Sequence, residues 1–400
     1  MNWLALPSKL EKLELILITF IVIFFSTLGE LLLDSISLLG PFNRSLLDFD
    51  LTDLYYYKYY DSTQVVPDKN IVLVNLGRLN RGEIADQLNI INNYKPNTVG
   101  MNAIFFDKRD SIADLKLADA LNKTKNLVMA GRPMYDSQGN LDSVATSHPM
   151  FTKHAVIGIS SLDWNSITGV SRSYMVFGKC NHKTFYDFSV ILAKFFDPSS
   201  FKDMVSRKNQ FEMINYKGNL IDNHSQFGKK YYALDFEDVF NGNFAPEQIE
   251  GKIVVLCYLG DFLGDVSTLE DKFYSPFNDG LFEKSFPDMF GGVIVANIIS
   301  NVIERDYIFH KTYFDWILLL VVGFALSLIF RFVYVKLEGT YHLMSKIMAI
   351  VFFNLAIFSA LSAFDIFRLK IEISHILLFV LFVPDGVEMV LKWVKKLKPY

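Results

Sequence analysis

Long apolar runs near both ends of this chain divide it into two kinds of sequence. One run lies at 15–29, and three more lie close together at 316–330, 347–364 and 373–383. A membrane crossing needs about 20 mostly apolar helical residues, so the runs predict four transmembrane helices, at 13–35, 314–336, 344–365 and 372–391. The section between the first two helices has globular patterning, and we expect it to lie on one side of a membrane.

Strand and helix patterns alternate through the section 36–312. Apolar runs predict strands at 71–74, 98–106, 126–130, 155–160, 172–177, 212–216 and 253–258. Apolar residues at helical spacing predict helices at 82–94, 111–121 with Ser111 as the cap, 185–195, 236–240 and 292–303. Pro198 and the pair Asn241 and Gly242 mark helix ends. This order predicts an α/β extracytoplasmic domain, with a mixed or parallel sheet and flanking helices, plus the four transmembrane helices.

Basic residues flank the apolar runs on one side of the predicted membrane, in the segment 1–12, the loop between the second and third spans, and the tail 392–400. Because Lys and Arg favour the cytoplasmic side, both termini are predicted to be cytoplasmic and 36–312 periplasmic, in a bacterial inner membrane. Arg368 and Lys370, in the short outer loop, oppose this orientation. The first run is also compatible with a cleaved signal peptide, since Lys9 and Lys12 precede a short uncharged core.

Composition narrows the classes of partner. Hydrophobic residues make up 51% of the chain and charged residues 20%, which fits a membrane protein with a large globular section. The net charge of -4 gives no basic surface for nucleic acid. Cys180 and Cys257 leave a disulfide open, although Cys257 ends an apolar run and is predicted to be a buried strand residue.

The last apolar run is interrupted at 383–386 by a Pro-Asp-Gly sequence, and Glu388 follows Asp385 by one helical turn. Acids that face lipid are costly, so two interpretations stay open. Either Asp385 and Glu388 contact a partner helix or an ion, or the Pro-Gly break ends the span near the inner headgroups and both acids are hydrated.

A tyrosine-rich stretch follows the first span. It contains Tyr55, Tyr56, Tyr57, Tyr59 and Tyr60. Tyrosine suits both membrane interfaces and protein contact surfaces, because its ring is apolar and its hydroxyl forms hydrogen bonds. The stretch therefore either packs against the underside of the domain or forms a docking surface for another envelope protein.

A set of short segments in the globular section occurs in a characteristic order. The segments are DKNIVLV at 68–74, KPNTVGMNAIFF at 95–106, Asp114 with LADAL at 117–121, INYKG at 214–218, FEDVFNG at 236–242, GKIVVL at 251–256, Gly264 with Asp265, Ser275 with Pro276, and FGGVIVANII at 290–299. In this order they resemble the CHASE2 sensor domains of bacterial signalling proteins. The resemblance covers 60–305, and one span before and three spans after the domain is also the family's arrangement.

The chain departs from the family pattern at several polar positions. The resemblance implies acids where 75–77 reads Asn-Leu-Gly, an Asp at Asn102, a His at Val295 and a Gly at Cys257. Side chains at strand ends are what an α/β domain uses to hold a polar ligand. We therefore predict either that the ancestral ligand site has decayed or changed its ligand, or that these positions have drifted without consequence.

Chemistry-bearing motifs are few. The seven histidines are scattered and the chain contains no HExxH, CxxC, GxSxG or GxxxxGK[ST] motif, so we predict no metal site, no cofactor and no catalytic residue. Asp261 and Asp265 follow the strongest predicted strand, at the edge where α/β sheets place ligands. These two acids, with Asn75 and Asn102, are the candidate ligand-binding residues; otherwise Asp261 and Asp265 cap turns.

Three functions remain open. In many relatives a kinase or cyclase follows the last span, whereas here we expect no output domain, which predicts a non-enzymatic sensory or relay subunit that acts through membrane or periplasmic proteins. The second hypothesis is a structural or assembly component of an envelope complex. The weakest is a membrane-tethered periplasmic enzyme. A small-molecule ligand stays open in the first hypothesis, and the lipid bilayer is a partner in all three.

Overall fold

The computed structural model of the chain describes residues 9–35, 50–162, 169–221, 229–278, 286–337 and 339–397. It contains two compact units. A globular unit spans Asp53–Ile308, and a helical unit combines Met1–Thr52 with Phe309–Tyr400. The predicted domain began at residue 36, but 36–49 lie outside the described residues, and the described globular unit begins at Asp53.

The secondary structure of the globular unit alternates between strands and helices. Its strands are β1 Ile71–Asn75, β2 Thr98–Met101, β3 Leu127–Tyr135, β4 Leu141–Ala145, β5 Val156–Ile159, β6 Ser173–Met175, β7 Phe177–Cys180, β8 Lys183–Tyr186, β9 Phe211–Met213, β10 Asn219–Leu220, β11 Lys229–Leu234, β12 Ile253–Cys257, β13 Lys272–Phe273 and β14 Met289–Phe290. The first helix of the chain, α1 Lys9–Ser35, belongs to the helical unit. The helices that follow it are α2 Leu51–Leu54, which crosses the boundary between the two units, and, within the globular unit, α3 Arg81–Asn93, α4 Ser111–Lys123, α5 Pro149–Thr152, α6 Phe188–Phe196, α7 Pro198–Ser206, α8 Phe236–Asn241 and α9 Gly291–Glu304.

The main sheet is mixed, with the strand order β10-β11-β1-β12-β2-β3-β4 and β5 also paired with β3. Within the described residues, neighbouring strands of this sheet pair in parallel, except for β3 and β4, which pair antiparallel. The predicted mixed or parallel α/β sheet with flanking helices is therefore confirmed.

Apolar packing differs on the two faces of the sheet. On one face, Val74, Val99 and Leu256 belong to a core with residues of α3, α4, α5 and α8. On the other face, α6 packs closely against β2. A Cβ added at Gly100 of β2 would lie 2.8 Å from the Phe188 ring of α6. Strands buried on both faces explain the continuous apolar runs in the sequence.

Several predicted boundaries needed correction. Asp110, rather than Ser111, caps α4 through hydrogen bonds from the Ile112 and Ala113 amides. The predicted strand 98–106 ends at Met101, and the predicted helix 185–195 begins at Phe188 because the preceding residues form β8. Pro198 does follow α6, but it also opens α7, in keeping with the preference of proline for the first turn of a helix.

The helical unit contains α1 together with α10 Thr312–Lys336, α11 Tyr341–Phe367 and α12 Ser374–Leu397. The last three are long and apolar enough to cross a membrane. The α1 helix packs against α10 and α12, with Ile18 and Val22 in their shared apolar core. A membrane crossing by α1 stays a prediction.

The Pro-Asp-Gly sequence in the last apolar run does not end the helix, since α12 continues through Pro384 to Leu397. Where the membrane span ends along α12 stays a prediction. The Tyr341 hydroxyl donates to the Pro384 carbonyl at 2.8 Å. Asp385 pairs with Lys346 of α11 at 2.9 Å. Glu388 pairs with Lys392 one turn later at 2.5 Å. Both acids therefore have partners within the helical unit.

Candidate functional site

The four predicted ligand-binding residues all lie at the carboxyl edge of the main sheet. Asn75 ends β1 and pairs in register with Cys257, the last residue of β12. Asn102 follows β2 directly, and its amide donates to Leu256 of β12 at 2.9 Å. The loop after β12 carries Asp261 and Asp265. The predicted residues thus lie at or just after the ends of three neighbouring strands, β1, β12 and β2.

Asn75 is completely buried, and its amide group is fully used within the fold. Its Nδ2 donates to Asp235 Oδ1 and to the Gly260 carbonyl, both at 3.1 Å. Its Oδ1 accepts from the Gly77 amide at 3.0 Å and from the Leu259 amide at 2.9 Å. An amide with two donors and two acceptors engaged ties β1 to the loops that follow β11 and β12.

Asp235 is the central partner of Asn75 and was missed by sequence reasoning. It follows β11 and caps α8, accepting from the Phe236 amide at 2.8 Å. Its second oxygen accepts from the Leu263 amide at 2.8 Å. The signal was present in the sequence, because Asp235 and Asp238 have the spacing of a capping box at the start of the predicted helix.

Asp261 and Asp265 have different surroundings. Asp261 is exposed and accepts from Arg78 Nε at 2.7 Å and from the Tyr258 hydroxyl at 2.8 Å. Asp265 caps a turn, accepting from the Ser267 hydroxyl at 2.6 Å and from its amide at 2.9 Å. These bonds to Ser267 lower the pKa of Asp265. The turn-capping alternative therefore describes Asp265, whereas Asp261 belongs to a surface ion pair.

Asn102 differs from Asn75 in having unused hydrogen-bonding capacity. It is partly exposed, and among the described residues its side-chain amide has no hydrogen-bond partner.

Cys257, the last residue of β12 at the same sheet edge, is completely buried beneath the first turn of α9. Burial, followed by the charge of Asp271, raises the pKa of the Cys257 thiol. Both cysteines are free thiols, and Cys180 lies in the separate β7–β8 hairpin.

Asp271 precedes β13 in the chain and contacts Gly291, the first residue of α9. It was not predicted as a site residue. Its carbonyl accepts from the Gly291 amide at 2.8 Å, and both carboxylate oxygens lie 3.1 Å from the point that a Gly291 Cβ would occupy. Desolvation, with a smaller effect of Glu270, raises the pKa of Asp271 to about 7. The residue as a whole is exposed, but its carboxylate lies against α9, which agrees with the desolvation.

A second acid with a raised pKa, Asp187, is buried and caps α6. Its Oδ1 accepts from the Ser189 amide at 2.7 Å. Burial raises its pKa to about 7 despite this bond. The sequence reasoning placed a helix here but did not single out its cap.

The tyrosine stretch divides into buried and exposed side chains. The Tyr56 hydroxyl donates to Asn215 Oδ1 at 2.9 Å, and the Tyr60 hydroxyl donates to the Lys217 carbonyl at 2.7 Å. Tyr55 is buried as well, whereas Tyr57 and Tyr59 are 45% and 55% exposed. Three tyrosines thus pack against the globular unit, and two remain available on its surface.

Two asparagines on one face of α9 hold an extended segment of backbone. Asn297 Oδ1 accepts from the Lys217 amide at 2.7 Å, and its Nδ2 donates to the Gly218 carbonyl at 3.0 Å. One turn later, Asn301 binds both the amide and the carbonyl of Asn215, at 2.9 and 2.7 Å. The segment that carries the tyrosine partners is therefore attached directly to α9.

Within the described ranges, no group of three or more His, Cys, Asp or Glu residues could hold a metal ion. The expectations of no cofactor and no catalytic residue stay predictions.

Comparison with known proteins identifies the family. Searches among curated proteins and among solved structures gave no match. A family model described as the CHASE2 domain matches residues 32–330. This range contains the whole globular unit and covers well over half of the chain. The chain therefore belongs to the CHASE2 domain family.

Proposed function

We propose that this protein is a non-enzymatic sensory or relay subunit of a bacterial inner membrane. In this proposal the globular unit is periplasmic, both termini are cytoplasmic, and partner proteins carry the output. The family match and the three apolar C-terminal helices support the membrane-anchored extracytoplasmic sensor. The ligand binds at the carboxyl edge of the sheet, near Asn102 and the start of α9.

The continuity of α9 is the observation that carries this proposal. Its first turn lies against Cys257 at the sheet edge, and its residues from Gly291 to Val302 are buried. It ends at Glu304, and the chain enters the apolar helix α10 at Thr312. A ligand that shifts the first turn of α9 would move a rigid, buried helix that leads by chain connection into a candidate membrane span.

The chemistry of the edge favours a small polar ligand. The Asn102 side chain offers one acceptor and an NH₂ donor group, with no competing partner among the described residues. The Asp271 carboxylate lies at the first turn of α9. With a pKa raised to about 7, this carboxyl group can donate when protonated and accept when ionised.

A thermal-shift screen of the full chain in detergent tests the proposal. A ligand of the sensor stabilises the folded state through linkage of binding to folding, by about 2.7 kcal/mol at a hundredfold excess over Kd, and so raises the melting temperature. Asn102→Ala should abolish the shift, whereas the exposed Asn243→Ala should retain it. No shift with any compound of a broad metabolite library would contradict the proposal.

The exposed Tyr57 and Tyr59 favour a second candidate, an assembly component of an envelope complex. This candidate predicts co-purification of a defined partner in mild detergent. Replacement of Tyr57 and Tyr59 by Ala should release that partner, whereas Tyr56→Phe, a change of a buried residue, should not. Retention of the partner by the double variant would contradict the candidate.

A further inference from the structure

A cavity of about 250 Å³ opens at the basic end of the helical unit. It is formed by one residue of α1, Glu14, by residues of α10 and by residues of α12. The full lining comprises Glu14, Arg331, Tyr334, Val335, Leu391, Val394 and Lys395. The last turn of α12 carries Lys395 and Lys396, so the cavity lies where positive charge collects.

We propose that this cavity binds the phosphate headgroup of an anionic glycerophospholipid. The lining has two chemistries, an aliphatic part made by Val335, Leu391 and Val394 and a polar part made by Arg331, Tyr334 and Lys395. An amphiphile satisfies both parts, because its phosphate meets the polar groups while its first methylenes lie on the aliphatic ones. The occupant is thus defined by the charges and the apolar surface together.

The volume of the cavity supports a headgroup rather than a free drug-sized molecule. Sites for small molecules usually measure about 300–1,000 Å³. The cavity is smaller than that range. A lipid solves this mismatch, since only the headgroup enters and the acyl chains remain in the bilayer alongside the apolar helices.

Two polar side chains of the cavity, Arg331 and Tyr334, have a hydrogen-bond donor without a partner among the described residues. Arg331 uses Nε and Nη2 to bind Glu14, at 3.2 and 2.9 Å, and Nη2 also binds Glu11 at 3.1 Å. Among the described residues, neither Arg331 Nη1 nor the Tyr334 hydroxyl has a hydrogen-bond partner. The Lys395 ammonium lies 5.5 Å from the centre of the Tyr334 ring. Arg331 Nη1 and the Tyr334 hydroxyl can therefore donate to one anion, and the Lys395 ammonium adds positive charge beside them.

The two glutamates set the selectivity of the site. Glu14 is buried and neutralises part of the charge of Arg331, while Glu11 is half exposed. A dianion in this place would repel Glu14 at close range, whereas a phosphodiester carries one negative charge. Basic pockets between membrane helices are known to bind anionic headgroups on the cytoplasmic side. The charge distribution of this chain predicts that same side for the cavity.

The test uses the full chain in nanodiscs and native mass spectrometry of retained lipid. In discs that contain equal phosphatidylglycerol and phosphatidylcholine, the protein should retain phosphatidylglycerol preferentially. Lys395→Gln should lower this retention about fivefold, and Tyr334→Phe about tenfold, because a hydrogen bond to a charged group is lost. Lys396→Gln removes the same charge from a residue outside the lining and serves as the matched control.

Three outcomes would overturn the proposal. Equal retention of the two lipids would remove the headgroup preference. An equal loss in Lys395→Gln and Lys396→Gln would show that general surface charge attracts the lipid. A rise in melting temperature with inorganic phosphate that matches the rise with a short-chain phosphatidylglycerol would assign the cavity to a free anion. None of the three variants, Lys395→Gln, Tyr334→Phe and Lys396→Gln, changes Arg331, so the ion pairs from Arg331 to α1 stay intact.

Discussion

Replacement of Gly292 by Ala tests the packing of α9 on the sheet edge. A Cβ at this position would lie 2.3 Å from Cys257 Sγ and 2.9 Å from Cys257 Cβ. Neither residue has room to retreat, since Cys257 is completely buried in an interior strand of the sheet. Such overpacking costs about 1–3 kcal/mol.

Helix propensity acts in the opposite direction. Alanine is favoured over glycine within a helix by about 0.5–1 kcal/mol. The net loss for Gly292→Ala is therefore about 1 kcal/mol. In a Cys257→Gly background the obstruction disappears, and the same substitution should stabilise α9 by about 0.5–1 kcal/mol. The sign of the effect should reverse between the two backgrounds.

Hydrogen–deuterium exchange of the full chain in detergent measures this cycle locally. A loss of 1 kcal/mol corresponds to about fivefold faster exchange of the β12 amides. Gly82→Ala, at a helical glycine in α3, provides the control and should have the same effect in both backgrounds. Equal effects of Gly292→Ala in both backgrounds would refute the reasoning, because the contact with Cys257 would then not be the cause.

Further predictions concern buried polar groups of the globular unit. Because the pKa of Asp187 is about 7 in the fold and about 4 in the unfolded chain, stability should fall as pH rises from 4 to 7; Asp187→Asn should flatten this fall in melting temperature, and an unchanged profile would contradict it. Tyr56→Phe should cost about 1–3 kcal/mol through its lost hydrogen bonds, while the exposed Tyr57→Phe should cost almost nothing in denaturant titrations. Asp53→Asn removes the charge that accepts hydrogen bonds from Arg172 Nε and Nη2 and should cost about 1–3 kcal/mol in the same titrations; a cost like that of Tyr57→Phe would refute the pair's importance.

The fold was predictable where one signal dominated. The runs 71–74 and 253–257, which form most of β1 and all of β12, are apolar at every position, and α9 repeats apolar residues over its whole length. The second half of β3 was missed because it leaves the parallel core and pairs antiparallel with β4. Its burial changes from buried to mostly exposed along the strand, so the sequence there lacks the continuous apolar signal.

The site was predictable only in its position. Strand order and length indicated which residues reach the carboxyl edge of the sheet, and Asn75 and Asn102 do lie there. Their environments were not predictable, because the partners of Asn75 include Asp235 and Gly260, which are 160 and 185 residues away in the chain. Tertiary contacts of that range decide whether an amide is available or already bonded.

The departures from the family pattern gain a physical meaning from these contacts. Asn75, where the resemblance implies an acid, uses both donors of its amide to bind Asp235 and Gly260. A carboxylate there would lose these donors and place a second negative charge beside Asp235, so the amide is required by the present network. Cys257, where the resemblance implies a glycine, fills the space beneath Gly292. These two positions are thus committed to packing, and Asn102 alone of the three keeps an open polar side chain. In the sensor proposed above, Asn102 therefore presents a neutral amide to the ligand, which favours a ligand of different charge from one that an aspartate would bind.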